Sequence, residues 1–244
     1  MALRFFPMFV IAVLGFAGSA SAEFNIVKYY LDGGPIMHPL LLFSVIVVGI
    51  SIERLLVSFM LSRRLTAKAF TNFMEKALND NPNNKDAAVD SMIDFCSKKG
   101  GPVASVLLEG LNKYKDSKKN GLDMMNTKAW MNSAIEERGR VEIPVLEARL
   151  GVIATIANIS PLVGLFGTVV GMIGAFETMA QSAGGAKPDE LSGNISVALL
   201  TTAGGLFVAI PALLVYSYLK TKTETYILQM EEVAIVMVDA LVSN

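Results

Sequence analysis

Two threonines in otherwise apolar runs are the residues whose types and spacing could do chemistry. Thr168 lies in the run ATIANISPLVGLFGTVVGMIGAF (154–176), and Thr202 lies in ISVALLTTAGGLFVAIPALLVY (195–216). A hydroxyl oxygen donates one hydrogen bond and accepts others, so two such groups could line a path for an ion. Alternatively, each hydroxyl could bond a carbonyl of its own helix, as threonines in membrane helices often do, and have no role beyond packing.

The two threonines lie at similar depths in their runs. Thr168 is nine positions before Glu177, and Thr202 is eight positions after Asn194. At 1.5 Å rise per residue, each hydroxyl is roughly 12 to 14 Å from the polar end of its helix. If the two helices pair antiparallel, the two hydroxyls lie at the same depth in the membrane. This matched depth makes a role in an ion path about as well supported as a packing role. Thr201 points about 100° away from Thr202, so we predict that it only packs.

Both threonines share a helix face with small residues. Spacings of i, i+4, i+7 and i+11 recur in the two runs. A glycine costs about 1 kcal/mol relative to alanine in a helix interior, so glycine-rich faces indicate close helix packing in a membrane assembly. The predicted packing residues are Gly164, Gly167, Gly171, Ala175, Ala198, Gly205 and Ala209.

Neither run contains an ionisable side chain. There is no Asp, Glu, Lys, Arg or His between Leu150 and Phe176, or between Ile195 and Leu219. A proton relay through a membrane normally needs such a group. The chain therefore either conducts no protons or uses a carboxylate that another protein supplies.

The rest of the sequence offers no catalytic or metal-binding pattern. The one histidine, His38, is predicted to lie at the outer interface, and the one cysteine, Cys96, cannot form an internal disulfide. Without metal-ligand spacing, a phosphate-binding loop or a nucleophile near a base, we expect no enzyme, no cofactor and no bound metal. A net charge of −1 without a basic patch argues against nucleic acid as a partner.

Composition and hydropathy predict an all-α integral membrane protein with three transmembrane helices. The 244 residues are 52% hydrophobic and 18% charged, with a mean hydropathy of +0.49. A helix needs about 20 apolar residues to cross a bilayer. The predicted spans are residues 39–61, 150–179 and 194–219.

Basic residues give the predicted orientation. Basic residues follow the first span, precede the second and follow the third. Because basic residues are enriched on the cytoplasmic side, these three helix ends are predicted to be cytoplasmic. The residues are Arg63, Arg64, Lys68, Arg138, Arg140, Arg149, Lys220 and Lys222. Glu53 and Arg54 are predicted to mark the cytoplasmic interface of the first helix rather than a buried ion pair. The remaining predicted segments are a periplasmic start (23–38), a cytoplasmic helical domain (62–149), a periplasmic loop (180–193) and a cytoplasmic helical tail (220–244).

The first 22 residues have the pattern of a signal peptide. Arg4 precedes a short apolar stretch, and Ala20-Ser21-Ala22 provides small residues at a cleavage site. The alternative is an uncleaved N-terminal helix. Either way, the following residues begin outside the cytoplasm.

Two long helical patterns flank the second and third spans. Residues 123–150 predict one helix that runs into the second span, with Pro144 as a kink. Residues 221–242 alternate apolar and charged residues at helical spacing, which predicts that this tail prolongs the third span.

The sequence resembles the MotA/TolQ/ExbB proton-channel family, and most of all its ExbB and TolQ branches. The resemblance rests on the two apolar runs, on Glu53-Arg54-Leu55 in the first span and on the three-span topology. The most specific part is the run Ser160-Pro161 followed by Gly164-Leu165-Phe166-Gly167-Thr168-Val169.

The resemblance implies a pentamer around a dimer of a single-span partner, ExbD or TolR, whose membrane helix carries an aspartate. In the family, the threonines that correspond to Thr168 and Thr202 face the central lumen. The implied function is an inner-membrane motor driven by the protonmotive force, which acts through TonB on outer-membrane import.

One position departs from the family pattern. Many ExbB and TolQ members have a glutamate where this chain has Val197, five positions before Thr202. This leaves the identity of the ion open between H⁺ and Na⁺. The alternatives to an ExbB-type motor are a TolQ-type subunit in envelope constriction and a membrane scaffold that conducts no ion.

Overall fold

The computed structural model describes residues 26–63, 66–82, 84–181 and 188–242. The described residues form helices and connecting turns, without strands. The helices are α1 (Ile26–Asp32), α2 (Met37–Arg63), α3 (Ala67–Asp80), α4 (Lys85–Lys99), α5 (Pro102–Lys119), α6 (Met124–Glu147), α7 (Leu150–Gln181) and α8 (Pro188–Val242). The predicted signal peptide lies outside the described residues.

Three of these helices are long and apolar enough to cross a membrane. They contain the stretches Met37–Leu61 in α2, Leu150–Gln181 in α7 and Leu191–Val242 in α8. The prediction of an all-helical protein with three membrane-spanning helices is confirmed. The tail continues the third span as helix, because α8 is one helix of 55 residues, while its cytoplasmic location stays a prediction.

The predicted continuous helix from Asp123 into the second span is wrong. The carboxylate of Asp123 caps α6 by accepting from the amide of Asn126 at 3.1 Å, and α6 contains Pro144 but ends at Glu147. Ala148 is extended and Arg149 has φ of +65°, a left-handed conformation that costs a non-glycine residue about 1 to 2 kcal/mol. The chain therefore turns at these two residues, and α7 starts afresh at Leu150, where the sequence becomes apolar.

The chain divides into two compact units. The first consists of residues 1–44 and 158–210, and the second consists of residues 45–157 and 211–244. In the described part of the first unit, the start of α2 lies against α8, since a methyl group at Gly204 would lie 3.0 Å from Sδ of Met37 and 3.5 Å from Cδ1 of Leu40. Gly33 permits the turn between α1 and α2, since a methyl group at this position would lie 2.5 Å from Cγ of Met37.

The second unit has an extensive hydrophobic core. Helices α3 to α6 pack with the C-terminal turns of α8, and side chains from each of these helices are fully buried. The largest of these are Phe70, Met74, Met92, Leu107, Leu111, Met131, Met237 and Leu241. The last turns of α8 are therefore part of a folded helical domain.

Cys96 provides a direct test of this core. Its side chain is fully buried, and burial raises the pKa of the thiol to about 12. At pH 8 only roughly one molecule in ten thousand would carry the reactive thiolate. We expect iodoacetamide to leave Cys96 unmodified in the native protein at pH 8 and to label it after denaturation, as measured by intact-mass spectrometry. Rapid labelling of the native protein would show that the thiol is exposed.

Candidate functional site

The site is built on close contact between the backbones of α7 and α8 within the first unit. A methyl group at Gly164 would lie 2.8 Å from the carbonyl oxygen of Thr201 and 3.0 Å from Cα of Thr202. A methyl group at Gly205 would lie 2.5 Å from the carbonyl oxygen of Ser160. The shortest distance at each glycine is below van der Waals contact, so only glycine fits at these two crossing points.

The same pattern continues along the pair toward the end of α7. A methyl group at Gly167 would lie 2.5 Å from Cβ of Thr201, and one at Gly171 would lie 2.8 Å from Cβ of Ala198. Positions rise along α7 as they fall along α8, so the helices are antiparallel. The predicted packing residues Ala175, Ala198 and Ala209 are all buried.

A polar contact lies near the end of this pair. The Nδ2 group of Asn194 on α8 donates to Oγ1 of Thr178 on α7 at 3.3 Å, and a methyl group at Gly174 would lie at an ordinary contact distance of 3.8 Å from Oδ1 of Asn194. The sequence marks Asn194 only as the end of the third span, and its pattern does not predict this contact. Interhelical hydrogen bonds of this kind fix the register of membrane helices.

Thr168 is half-buried on α7 and bonds its own helix, which is the contact that the packing alternative predicted. Its Oγ1 donates to the carbonyl oxygen of Leu165 at 2.6 Å. The single proton of the hydroxyl is used in this bond, so the oxygen can act toward other groups only as an acceptor. An acceptor of this kind can bind a cation, a hydronium ion or a protonated acid.

Thr202 makes the contact that joins the two helices. Its Oγ1 donates across the interface to the carbonyl oxygen of Gly164 at 3.2 Å, and its side chain is half-buried. Thr201, for which the sequence predicted a packing role, is 1% exposed and donates to the carbonyl of Ala198 at 2.7 Å. The packing prediction for Thr201 is confirmed, although the sequence did not show that Thr201 fills the space left by Gly167.

The two candidate hydroxyls lie at nearly the same height. Gly167 on α7 lies directly opposite Thr201 on α8. Thr168 is the next residue after Gly167, and Thr202 is the next residue after Thr201. Because the helices are antiparallel, this separates them by about two residues, or roughly 3 Å along the axis. The role of Thr168 and Thr202 in an ion path stays a prediction.

Val197 lies on the side of α8 that faces the turn before α2, and not on the side that contacts α7. A methyl group at Gly34, in the turn before α2, would lie 3.6 Å from Cγ1 of Val197. Gly204 faces the same element, since a methyl group there would lie 3.0 Å from Sδ of Met37. Gly204 and Gly205 thus let α8 approach two neighbours, the start of α2 on one side and α7 on the other.

Glu53 and Arg54 belong to the second unit and do not pair with each other. The Glu53 carboxylate accepts from Nη1 of Arg149, and Nη1 of Arg54 makes a long 3.4 Å contact with the carbonyl oxygen of Val145. Both partners lie at the break between α6 and α7. The predicted position of Glu53 and Arg54 at a membrane interface stays a prediction.

Residues 99–232 match the model of the MotA/TolQ/ExbB proton channel family. The chain belongs to this family. The match includes the whole of α7 and most of α8, so the Thr168 and Thr202 positions lie inside the matched region.

Individual relatives carry the names of two branches of the MotA/TolQ/ExbB family. The chain is 32% identical over 185 residues to the putative biopolymer transport protein ExbB-like 3 of Synechocystis, covering 75% of this chain and 80% of that protein. It is 32% identical over 127 residues to ExbB of Neisseria gonorrhoeae, covering 50% and 57% of the two chains. It is 44% identical over 84 residues to TolQ of Haemophilus influenzae, covering 33% and 35%. The aligned part is therefore about half of the Neisseria ExbB and about a third of the Haemophilus TolQ.

Substitution of Gly164 tests the close contact of α7 and α8. Gly164→Ala places a methyl group against backbone atoms of Thr201 and Thr202 that cannot rotate away. We expect a loss of about 1 to 3 kcal/mol in the free energy of unfolding, measured by thermal or denaturant unfolding in detergent.

Gly49→Ala is the matched control, because Gly49 is also within a membrane-length helix, but beyond its own stretch of helix no atom of the described residues lies within 4 Å of the added methyl group. This variant should be neutral or gain up to about 1 kcal/mol from helix propensity. Equal stability of the two variants would contradict the close contact at Gly164.

Proposed function

We propose that the chain is the channel subunit of an inner-membrane motor that converts the protonmotive force into mechanical work and energises TonB-dependent transport across the outer membrane. The observation that carries this proposal is the pair of acceptor oxygens on Thr168 and Thr202, at nearly one height on an antiparallel pair without ionisable side chains. In this proposal the chain is not an enzyme and needs no cofactor.

The proposal requires a partner that supplies an acid. Protons cross a membrane protein by protonating and deprotonating a group within the span, and neither α7 nor α8 provides one between Leu150 and Phe176 or between Ile195 and Leu219. An ExbD-like or TolR-like single-span protein with a membrane aspartate would provide this group. The oxygens of Thr168 and Thr202 would accept a hydrogen bond from the protonated acid and stabilise it at that depth.

The proposed assembly is a pentamer of this chain that encloses the partner helices. Its N-terminus is periplasmic, the helices α3 to α6 and the end of α8 are cytoplasmic, and a TonB-like protein receives the work in the periplasm. The basic residues at the ends of the spans support this orientation. A charge that crosses 100 mV gains about 2.3 kcal/mol, so each ion supplies several times RT for a step of the motor.

A second candidate within the family is a TolQ-type subunit that works in constriction of the envelope. The match to the Haemophilus TolQ, 44% identical over 84 residues, supports it. The match to the Synechocystis ExbB-like protein covers 75% of this chain and supports the TonB-linked function over a longer region. A non-conducting scaffold is the candidate from a different class.

The experiment that tests conduction is proton uptake by vesicles that contain this chain and its single-span partner. Thr168→Val removes the acceptor oxygen and keeps the shape of the side chain. We expect it to abolish partner-dependent proton uptake and energised transport while the assembled complex is still recovered by size-exclusion chromatography.

Thr155→Val is the matched control. Thr155 is also on α7, and its hydroxyl donates to the carbonyl of Gly151 at 2.8 Å. The control should conduct normally. Full-rate transport by Thr168→Val would refute the role of this residue, and absence of uptake by the wild-type complex would favour the scaffold.

Thr202→Val should cause a similar but milder loss of proton uptake. The substitution removes an acceptor oxygen and also the hydrogen bond to Gly164, which contributes about 1 kcal/mol to the helix contact. Thr202→Ser keeps the hydroxyl and should restore most of the flux. If serine and valine behave alike in the vesicle assay, the hydroxyl of Thr202 has no part in the path.

A further inference from the structure

A cavity of about 520 Å³ lies in the second unit, where α2, α5, α8 and the break between α6 and α7 meet. This volume is within the range of small-molecule sites, about 300 to 1,000 Å³. The apolar part of its wall includes Val57, Leu61, Leu146, Leu150 and Leu219. Tyr226 lines the cavity as well and donates from its hydroxyl to the carbonyl oxygen of Ser58 at 3.3 Å.

The side chains that line this cavity carry more positive than negative charge. Glu53, Arg54 and Arg149 all line it, and the carboxylate of Glu53 pairs with Arg149. Arg54 has only the long contact with the carbonyl of Val145, and its Nε is buried without a hydrogen-bond partner among the described residues. A cation in an apolar wall is costly unless an anion neutralises it, so the cavity carries one positive charge that calls for a counter-charge.

The cavity is at one end of the membrane-length helices. It is lined by the last turns of the apolar stretch Met37–Leu61 of α2, by the first residue of α7, and by Leu219, Thr223 and Tyr226 of α8, at the end of the third span predicted from the sequence. In sequence, Arg63, Arg64, Lys220 and Lys222 follow the same stretches. The apolar wall and the half-buried Arg54 therefore belong to segments that basic residues follow in the sequence, which is the pattern of a helix end at the headgroups of the adjacent leaflet.

We propose that this cavity binds the headgroup of an anionic phospholipid. The phosphodiester accepts hydrogen bonds from the Arg54 guanidinium, the glyceryl esters lie against Val57 and Leu61, and the acyl chains leave along the exposed apolar residues of α2, such as Leu56. Basic pockets between membrane helices on the cytoplasmic side suit such headgroups. The site goes beyond the proposed function, since it requires neither a partner nor ion flux.

The wall chemistry favours a lipid over the other occupants. A soluble phosphate ion would satisfy Arg54 but would leave the leucine and valine side chains against water. A second copy of this chain would have to present, at one place on its surface, both an acid for Arg54 and an apolar segment for the wall. A phosphodiester that carries its own apolar ester groups meets both requirements.

Lipid titration of the purified full-length protein in neutral detergent tests the proposal. The probes are dioleoylphosphatidylglycerol, dioleoylphosphatidylcholine with the same chains, and inorganic phosphate, and the readouts are bound-lipid mass by native mass spectrometry and the shift in Tm. We expect the anionic lipid to bind roughly tenfold more tightly than the zwitterionic one, as a single charge-assisted contact allows, and phosphate to give no shift.

Arg54→Gln should reduce the preference for the anionic lipid to within about twofold. Arg140→Gln, an exposed arginine on α6 outside the cavity, should keep it. Val57→Phe is a second variant that separates loss of the lipid contact from unfolding of the site: it fills the cavity without a change in charge and should weaken the binding of both lipids.

Three results would overturn the proposal. These are equal binding of the two lipids by the wild type, a stabilising shift by inorganic phosphate alone that equals the lipid shift, and lipid binding unchanged in both cavity variants. If the cavity variants instead lower the oligomer mass with lipid binding intact, the cavity is an interface between copies and the lipid site is wrong. None of these readouts depends on proton flux. A negative result for lipid binding would therefore not contradict the proposed channel function, which the vesicle assay tests separately.

Discussion

The contact between the backbones of α7 and α8 at Gly164 and Gly205 is the constraint on which the candidate site depends. It brings Thr202 within hydrogen-bond distance of the Gly164 carbonyl and fixes the register that sets Thr168 beside Thr202 in height. In a membrane, helices gain little from burying apolar surface against each other, so small residues and polar bonds must provide the specificity. Here the glycines provide the approach and the threonine provides the bond.

The same constraint explains the chemistry that the pair can and cannot do. Helices this close leave no room for a long charged side chain at their contact, and none occurs in either run. The polar groups available on the pair are the hydroxyl oxygens of Thr168 and Thr202, and each hydroxyl already donates its proton to a backbone carbonyl. Such a pair can receive a proton donor or a cation, but it cannot exchange a proton by itself. A second polypeptide with an acid is the natural complement to it.

Much of the first unit could be predicted from sequence because its determinants are local. Runs of apolar residues gave α2, α7 and α8, and the spacing of small residues identified the contact face. The break at Ala148 and Arg149 could not be predicted, because residues 123–150 contain no glycine or asparagine at the point where the helix ends. Arg149 adopts its left-handed conformation in a setting that includes the ion pair with Glu53, 96 positions away. The cavity around Arg54 was missed for the same reason, since its walls come from four separate parts of the chain.

The central claim is that Thr168 faces the acid-bearing helix of a partner. Disulfide cross-linking in native membranes tests it most directly, with Thr168→Cys in a Cys96→Ser background and a cysteine beside the membrane aspartate of the partner. The account predicts a cross-linked heterodimer for Thr168→Cys and none for Leu162→Cys, six positions earlier on α7. Cross-linking at Leu162 with none at Thr168 would contradict it.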